Sequence, residues 1–83
     1  METIVIEVYL PAAGRTFDVR VPRAMNSLLA AHLTADALAS LSDGAYLSSR
    51  TSLFAWRESG KLLAMGHSLE QEHVRNGSRL LLV

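Results

Sequence analysis

The chain has 83 residues, 49% of them hydrophobic, and its eight basic and eight acidic residues give a formal net charge of zero. This composition is typical of one folded domain, and the balanced charge provides no global field to attract nucleic acid or an anionic membrane. Cysteine is absent, which excludes disulfides, thiolate catalysis and cysteine-based metal centres. We therefore expect a partner that is recognised by shape and by local surface chemistry.

The N-terminal segment does not resemble a secretion signal. Glu2 and Glu7 lie within an alternating pattern, where a signal peptide would have a basic start and an unbroken apolar stretch. The most apolar stretch, Leu28 to Leu41, is too short and too polar to cross a bilayer, which needs about 20 apolar residues. The sequence therefore predicts a soluble, cytoplasmic protein without direct membrane insertion.

Two segments of alternating hydrophobicity, residues 3–10 and 16–21, open the chain, with Pro11 and Gly14 as turn residues between them. Their apolar residues share one face and are predicted to point to the core: Ile4, Ile6 and Val8, then Phe17, Val19 and Val21. This pattern predicts a β-hairpin.

A helix is predicted from Ser27 to about Leu41. Pro22 ends the second strand, and Asn26 is a favourable N-cap because its side-chain oxygen can accept a bond from an early helical N–H. Leu29, Leu33 and Ala37 are four residues apart and are expected to form the apolar stripe of this helix. Asp43-Gly44 offers a C-terminal stop.

Residues 42–52 have the composition of a loop, and the segments after them are short. We predict strands at 53–57 and 61–65, a helical turn near 69–73 capped by Ser68, and a final strand after Asn76-Gly77. The predicted fold is α+β, a single domain over residues 1–83 with a mixed sheet of four to five strands packed on one main helix.

No catalytic, cofactor-binding or metal-binding residue is predicted. His32, His67 and His73 lack the i, i+4 spacing of a helical metal pair. Gly60-Lys61 lacks the preceding glycine-rich loop of a phosphate site, and no nucleophile elbow is present. Phe54 and Trp56 are expected to fill the core.

The order of elements resembles the β-grasp fold of ubiquitin and its relatives. The residues that carry this resemblance lie mainly between Leu53 and Val83: Gly60, Lys61, Leu63, Leu69, Val74, Asn76, Gly77, Leu80 and Leu82. "TFDVRV" is also similar to the second strand of ubiquitin, whereas the long loop at 42–52 departs from it.

A narrower resemblance is to the YukD and EsaB proteins of bacterial type VII secretion. It is carried by "FDVRV", by the longer connection after the helix, and by the ending in which "NG" precedes "RL". The resemblance implies a non-enzymatic, cytosolic accessory that binds a protein partner, such as a membrane-bound secretion ATPase, with weak self-association as a further expectation. A small β-grasp regulatory subunit of a soluble enzyme complex is the alternative.

Conjugated ubiquitin-like proteins and sulfur carriers end in a mobile Gly-Gly tail. Glycine is needed there because a Cβ would clash in the narrow channel of the activating enzyme. This sequence ends in "LLLV", and Lys61 is its single lysine. We therefore expect a protein that is not conjugated, and a modifier or sulfur carrier is the third and least favoured hypothesis.

The predicted protein-binding surface is the sheet face that points away from the helix. If Leu80 and Leu82 face the core, strand alternation directs Leu81 and Val83 outward, near Val5 of the adjacent strand and Ala55. Arg57 falls near the centre of the face that ubiquitin receptors read, so ordinary ubiquitin-receptor binding is not expected. Arg20 and Arg79, interspersed with Glu7 and Asp18, predict a mixed solvated surface without a nucleic-acid patch.

Overall fold

The computed structural model describes residues 2–41 and 52–83. Its elements are β1 (Thr3–Leu10), β2 (Arg15–Pro22), α1 (Ser27–Leu41), β3 (Phe54–Trp56) and β4 (Arg79–Leu82). The sheet order is β2-β1-β4-β3, with β1 antiparallel to β2 and parallel to β4, and β3 antiparallel to β4. This arrangement confirms the predicted α+β fold, with four strands in the sheet. The predicted helix stop at Asp43-Gly44 lies outside the described residues.

The β1–β2 hairpin follows the predicted alternation. Ile6 pairs with Val19, and the turn closes where the Gly14 N–H donates to the Leu10 carbonyl at 2.9 Å. Gly14 has a φ of 62°, a left-handed conformation that glycine adopts without a steric penalty. The inward-facing apolar side chains of β1 are buried, whereas Phe17 and Val19 of β2 are only partly buried because β2 lies at the edge of the sheet.

Strand alternation in β4 is also as predicted. Leu80 and Leu82 are buried against the core, and Leu81, between them, is partly exposed on the opposite face. β4 lies between β1 and β3, so its inward residues meet buried side chains from both neighbours. This strand therefore closes the core beneath the helix.

The helix begins at Ser27, as predicted, because Asn26 caps it. Asn26 Oδ1 accepts hydrogen bonds from the N–H groups of Leu28 and Leu29 at 2.9 and 3.1 Å. Asn26 Nδ2 donates to the Met65 carbonyl at 2.9 Å, and the Ser27 hydroxyl donates to the Ala64 carbonyl at 2.7 Å. The same two residues thus start the helix and attach it to the segment that follows β3.

The buried face of α1 is not the predicted one. Its buried residues recur at helical spacing and are mostly small: Ser27, Ala30, Ala31, Thr34, Ala35 and Leu38. Leu29 and Leu33 are each 50% exposed, and Ala37 is exposed as well. The prediction was wrong because the sheet already supplies large side chains, so small residues on the helix allow it to pack closely against them.

The chain between β3 and β4 is less regular than predicted. The expected strand at 61–65 is reduced to a single antiparallel bridge between Ala55 and Leu62. The predicted helical turn near 69–73 is present, and a reciprocal cap closes it, since Ser68 N–H donates to Gln71 Oε1 and Gln71 N–H donates to Ser68 Oγ. His73, at φ 62°, ends the turn. Phe54 is buried, and Trp56 packs against the core while partly exposed.

Within residues 2–41 and 52–83, no helix combines the length and the apolar character needed to cross a membrane.

The outer sheet face as a candidate interaction surface

The face of the sheet that points away from α1, which we call the outer face, is organised by strand register. Tyr9 of β1 is aligned with Leu81 of β4, and Leu81 is aligned with Ala55 of β3. Two residues earlier on each of these strands, and therefore on the same face, Glu7 of β1 is aligned with Arg79 of β4. The outer face therefore consists of an apolar row next to a charged row.

Around the apolar row lies a group of hydrophobic side chains that we call the outer cluster. It contains Tyr9, Leu53, Ala55, Leu62, Leu81 and Val83. Leu53 and Val83 are joined by two backbone hydrogen bonds of 2.8 and 2.9 Å, and Leu62 is bridged to Ala55. Leu62 and Val83 are 52% and 55% exposed. The cluster thus presents apolar surface to solvent at the β3–β4 end of the sheet.

The charged row borders this cluster and is internally paired. Arg57 Nη1 lies 3.1 Å from Glu7 Oε1, and Arg79 Nε lies 3.9 Å from Glu7 Oε2. The Arg57 guanidinium also stacks over Tyr9, with its Cζ 4.9 Å from the ring centroid. Two guanidiniums share the Glu7 carboxylate at the end of the row next to the outer cluster, whereas Asp18, aligned with Glu7 across the hairpin, lies at its other end. The stacking and the ion pair together hold Arg57 in place beside the outer cluster.

The structure places the predicted binding residues on the outer face but does not bring all of them together. Leu81, Val83 and Ala55 are adjacent, and Arg57 borders them. Ala55 is only 2% exposed, so it contributes almost no contact area and serves as the floor between Leu62 and Leu81.

Val5 is the exception to this grouping. It is on the outer face, but its neighbours are the turn residues Asn76 and Gly77, which bond to its backbone at 2.8 and 2.7 Å. The neighbour of Leu81 on β1 is Tyr9, four residues further along. The expected proximity of Val5 and Leu81 was wrong because the parallel pairing aligns Glu7 with Arg79, which lie between them.

Three members of the outer cluster were missed by reasoning from sequence: Tyr9, Leu53 and Leu62. The alternation of β1 already directs Tyr9 to the same face as Val5, and Leu53 and Leu62 directly precede the buried Phe54 and Leu63. The alternation that directs these three side chains to the outer face could therefore be read from the sequence. The register that brings the three side chains to one place could not.

In the part of the chain that the structure describes, no three His, Asp or Glu side chains converge on a metal position. His67 Nδ1 lies 2.8 Å from Glu72 Oε2, and the Ala64 N–H donates to Glu72 Oε1 at 2.9 Å. These two hydrogen bonds, the His67 bond foremost, lower the pKa of Glu72 below its ordinary value. The pair fastens the turn at 68–73 to the segment after β3.

No protein-family model matches this sequence, and no curated protein does. Solved structures do match. The ubiquitin-like domain of the Mycobacterium tuberculosis type VII secretion system protein EccD1 has a TM-score of 0.77 at 23% identity, covering 100% of this chain and 99% of that one. The EccD5 ubiquitin-like domain from Mycobacterium xenopi has a TM-score of 0.82 at 15% identity, with coverages of 100% and 94%. The ubiquitin-like domain of Plasmodium falciparum Dsk2 has a TM-score of 0.74 at 18% identity, with coverages of 99% and 97%.

These likenesses define the fold as that of the ubiquitin-like β-grasp proteins, which confirms the resemblance found in the sequence. One of the three structures, that of EccD1, is the ubiquitin-like domain of a type VII secretion system protein. Ubiquitin-like domains generally mediate protein–protein interaction and not catalysis. The narrower likeness to YukD and EsaB stays a prediction.

Proposed function

We propose that this chain is a non-enzymatic protein-interaction module of a bacterial type VII secretion system, acting in the cytoplasm as YukD and EsaB proteins do. The proposal treats residues 1–83 as one domain. It is supported by the shared fold with the EccD1 and EccD5 domains and by the narrower resemblance carried by "FDVRV" and the "NG"–"RL" ending.

The observation that carries the proposal is the outer cluster with its charged border. Leu62 and Val83 are more than half exposed beside Leu81, and a cluster of this kind is typical of an interface core. Tyr and Arg, which are enriched at binding hot spots, lie at its edge as the stacked pair Tyr9 and Arg57. An apolar centre within a polar rim is the usual anatomy of a protein interface.

The border also indicates the chemistry of the partner. Arg57 and Arg79 share the carboxylate of Glu7 beside the outer cluster, and the other carboxylate of the row, Asp18, lies on β2 beyond Glu7, so guanidinium groups are in excess at the border next to the cluster. We propose a partner that presents apolar side chains to the outer cluster and an acidic group to this border. A component of the secretion machinery, with its membrane-bound ATPase as the first candidate, is the proposed source of that surface. We propose that this binding is non-covalent.

The experiment compares two leucine variants of the tagged protein expressed in its native cells. Leu62→Asp places a charge in the outer cluster, whereas Leu29→Asp makes the same change at a leucine of similar exposure on the helix. Both variants should fold, because surface substitutions typically change stability by about 0.5 kcal/mol or less. Co-purified proteins are identified by mass spectrometry, and the intact mass of the bait reports any conjugation.

We expect a secretion component to co-purify with the parent and with Leu29→Asp but to be lost with Leu62→Asp. The intact mass should equal that of the unmodified chain. Retention of the partner by Leu62→Asp would exclude the outer cluster as the binding surface. Recovery of a soluble enzyme complex in place of a secretion component would favour the regulatory-subunit alternative.

A further inference from the structure

The two edges of the sheet differ in how their backbone is covered. At the β3 edge, Trp56 N–H donates to the Lys61 carbonyl at 2.9 Å and Leu63 N–H donates to the Phe54 carbonyl at 3.0 Å. The segment after β3 therefore covers that edge. The β2 edge has no such cover in residues 2–41 and 52–83, although β2 is eight residues long.

Register identifies the open groups of β2. Arg23 N–H donates to the Glu2 carbonyl, which makes Glu2 and Arg23 a hydrogen-bonded pair of the hairpin. Such pairs alternate along an antiparallel ladder, so the odd-numbered residues of β2 form backbone hydrogen bonds with β1. The intervening residues Thr16, Asp18 and Arg20 direct their backbone N–H and C=O groups away from the sheet. Their side chains lie on the outer face and are exposed.

Two of these edge residues carry opposite charges without a counter-ion. In the described residues, neither Asp18 nor Arg20 takes part in an ion pair, and the one contact of the Arg20 guanidinium is a 3.4 Å hydrogen bond to the Thr3 hydroxyl. Asp18 is aligned across the hairpin with Glu7, another carboxylate. The charge of Asp18 is therefore uncompensated by its neighbour in β1.

The β2 strand of a second copy of the chain, placed antiparallel to the first, provides hydrogen-bond partners for the open backbone groups and opposite charges for the unpaired side chains in a single register. When the two strands are centred on Val19, Asp18 of each copy lies opposite Arg20 of the other, and these pairs are the ones whose backbone groups face outward. Cross-strand pairs of opposite charge stabilise a sheet, and directly opposed like charges destabilise it. Centring on Asp18 would oppose two carboxylates, and centring on Arg20 would oppose two guanidiniums.

The inner side of the same edge is apolar. A groove of about 160 Å³ runs between β2 and α1 and is lined mainly by apolar residues, among them Val19 and Val21 of the strand and Leu33 and Ala37 of the helix, together with the polar Arg20 and Thr34. In the register centred on Val19, the two Val19 side chains meet, and each Phe17 lies opposite Val21 of the other copy. Both helices then lie on the same side, so the half-exposed Leu33 of each copy faces the joined groove.

We propose that the β2 edge binds a second copy of this chain, forming a symmetric dimer whose two four-stranded sheets become continuous through antiparallel β2 strands centred on Val19. Such a two-fold contact is self-complementary, as a closed dimer requires. The two outer faces lie on the same side of the joined sheet. The dimer therefore presents two copies of the outer cluster to one bivalent partner, which raises the effective binding strength.

The test reverses the two charges separately and together. Sedimentation equilibrium of the full chain up to millimolar concentration measures the mass, which is 9.1 kDa for one copy. Asp18→Arg opposes two arginines, and Arg20→Asp opposes two aspartates. The double variant Asp18→Arg/Arg20→Asp restores opposite charges in the same register, and so does an equimolar mixture of the two single variants. Leu62→Asp, on the outer cluster, is the control that leaves this edge unchanged.

We expect the parent, the double variant, the mixture and Leu62→Asp to reach twice the single-copy mass. Each single variant alone should raise the dimer dissociation constant about tenfold or more, which corresponds to about 1.4 kcal/mol. Amide hydrogen exchange at Thr16, Asp18 and Arg20 should slow as the parent concentration rises. Unchanged melting temperatures would show that all variants remain folded.

Three results would each overturn the inference: a parent that stays monomeric at millimolar concentration, a dimer that both single variants leave intact, or single variants that dissociate the dimer without rescue in the mixture. None of these results bears on the outer cluster, because the Leu62→Asp comparison tests that surface independently.

Discussion

Replacing Leu38 by alanine tests which face of α1 is buried. Leu38 is 1% exposed and belongs to the core cluster beneath the helix, whereas Leu33, five residues earlier, is half exposed. Truncating a fully buried leucine removes its transfer free energy and leaves a cavity, at a cost of about 2–5 kcal/mol. The same truncation at Leu33 removes side-chain area that is half solvated, and alanine is the better helix former there.

The expected loss of free energy in Leu38→Ala is a large part of the total stability of a domain of this size, for which about 5–10 kcal/mol is typical. A loss of roughly 3 kcal/mol in Leu38→Ala would lower the melting temperature by roughly 12–24 °C, at about 4–8 °C per kcal/mol. Leu33→Ala should change the free energy of unfolding by no more than about 1 kcal/mol.

Urea unfolding followed by far-UV circular dichroism measures both variants against the parent. The midpoint of Leu38→Ala should fall well below that of Leu33→Ala, with similar slopes because both unfold the same surface. A larger loss in Leu33→Ala than in Leu38→Ala would refute the assignment of the buried face. It would restore the stripe of Leu29, Leu33 and Ala37 that the sequence alone suggests.

Three further outcomes are expected. Leu82→Asp should unfold the protein because it buries an unpaired carboxylate, while Leu81→Asp should melt within a few degrees of the parent; the opposite result would invert the register of β4. Asn26→Ala should cost about 1 kcal/mol in denaturant unfolding because two helical N–H groups lose their acceptor, and an unchanged midpoint would show that this cap is dispensable. Glu72→Gln should destabilise the protein at neutral pH but not in acid. The pKa of Glu72 is lower in the folded protein than in the unfolded chain, so the ionised carboxylate stabilises the fold at pH values above the unfolded-state pKa. This stabilisation is lost as the pH falls through the folded-state pKa. Unfolding measured for parent and variant from pH 7 to about pH 2 should show the difference between them shrink, and a constant difference would contradict this account.

Features that depend on neighbours in the chain could be predicted from sequence. The hairpin follows from alternation in residues 3–10 and 16–21, and the helix start follows from Asn26, whose cap forms within three residues. The turn near 69–73 follows from Ser68 and Gln71, which cap each other. Burial of Leu80 and Leu82 follows from the period of a strand once one face is known to be covered.

Features that depend on distant segments were decided by packing. Both sides of α1 carry apolar residues, so its periodicity does not distinguish them, and the helix buries its alanines because β1 and β4 bring large side chains to the interface. The parallel register of β1 and β4 joins segments about seventy residues apart and places Tyr9, not Val5, beside Leu81. No local pattern encodes such a register, because it is set by the fit of all the strands and the helix together. The outer cluster and the open edge of β2 therefore form only when the strands and the helix have packed together in the tertiary structure.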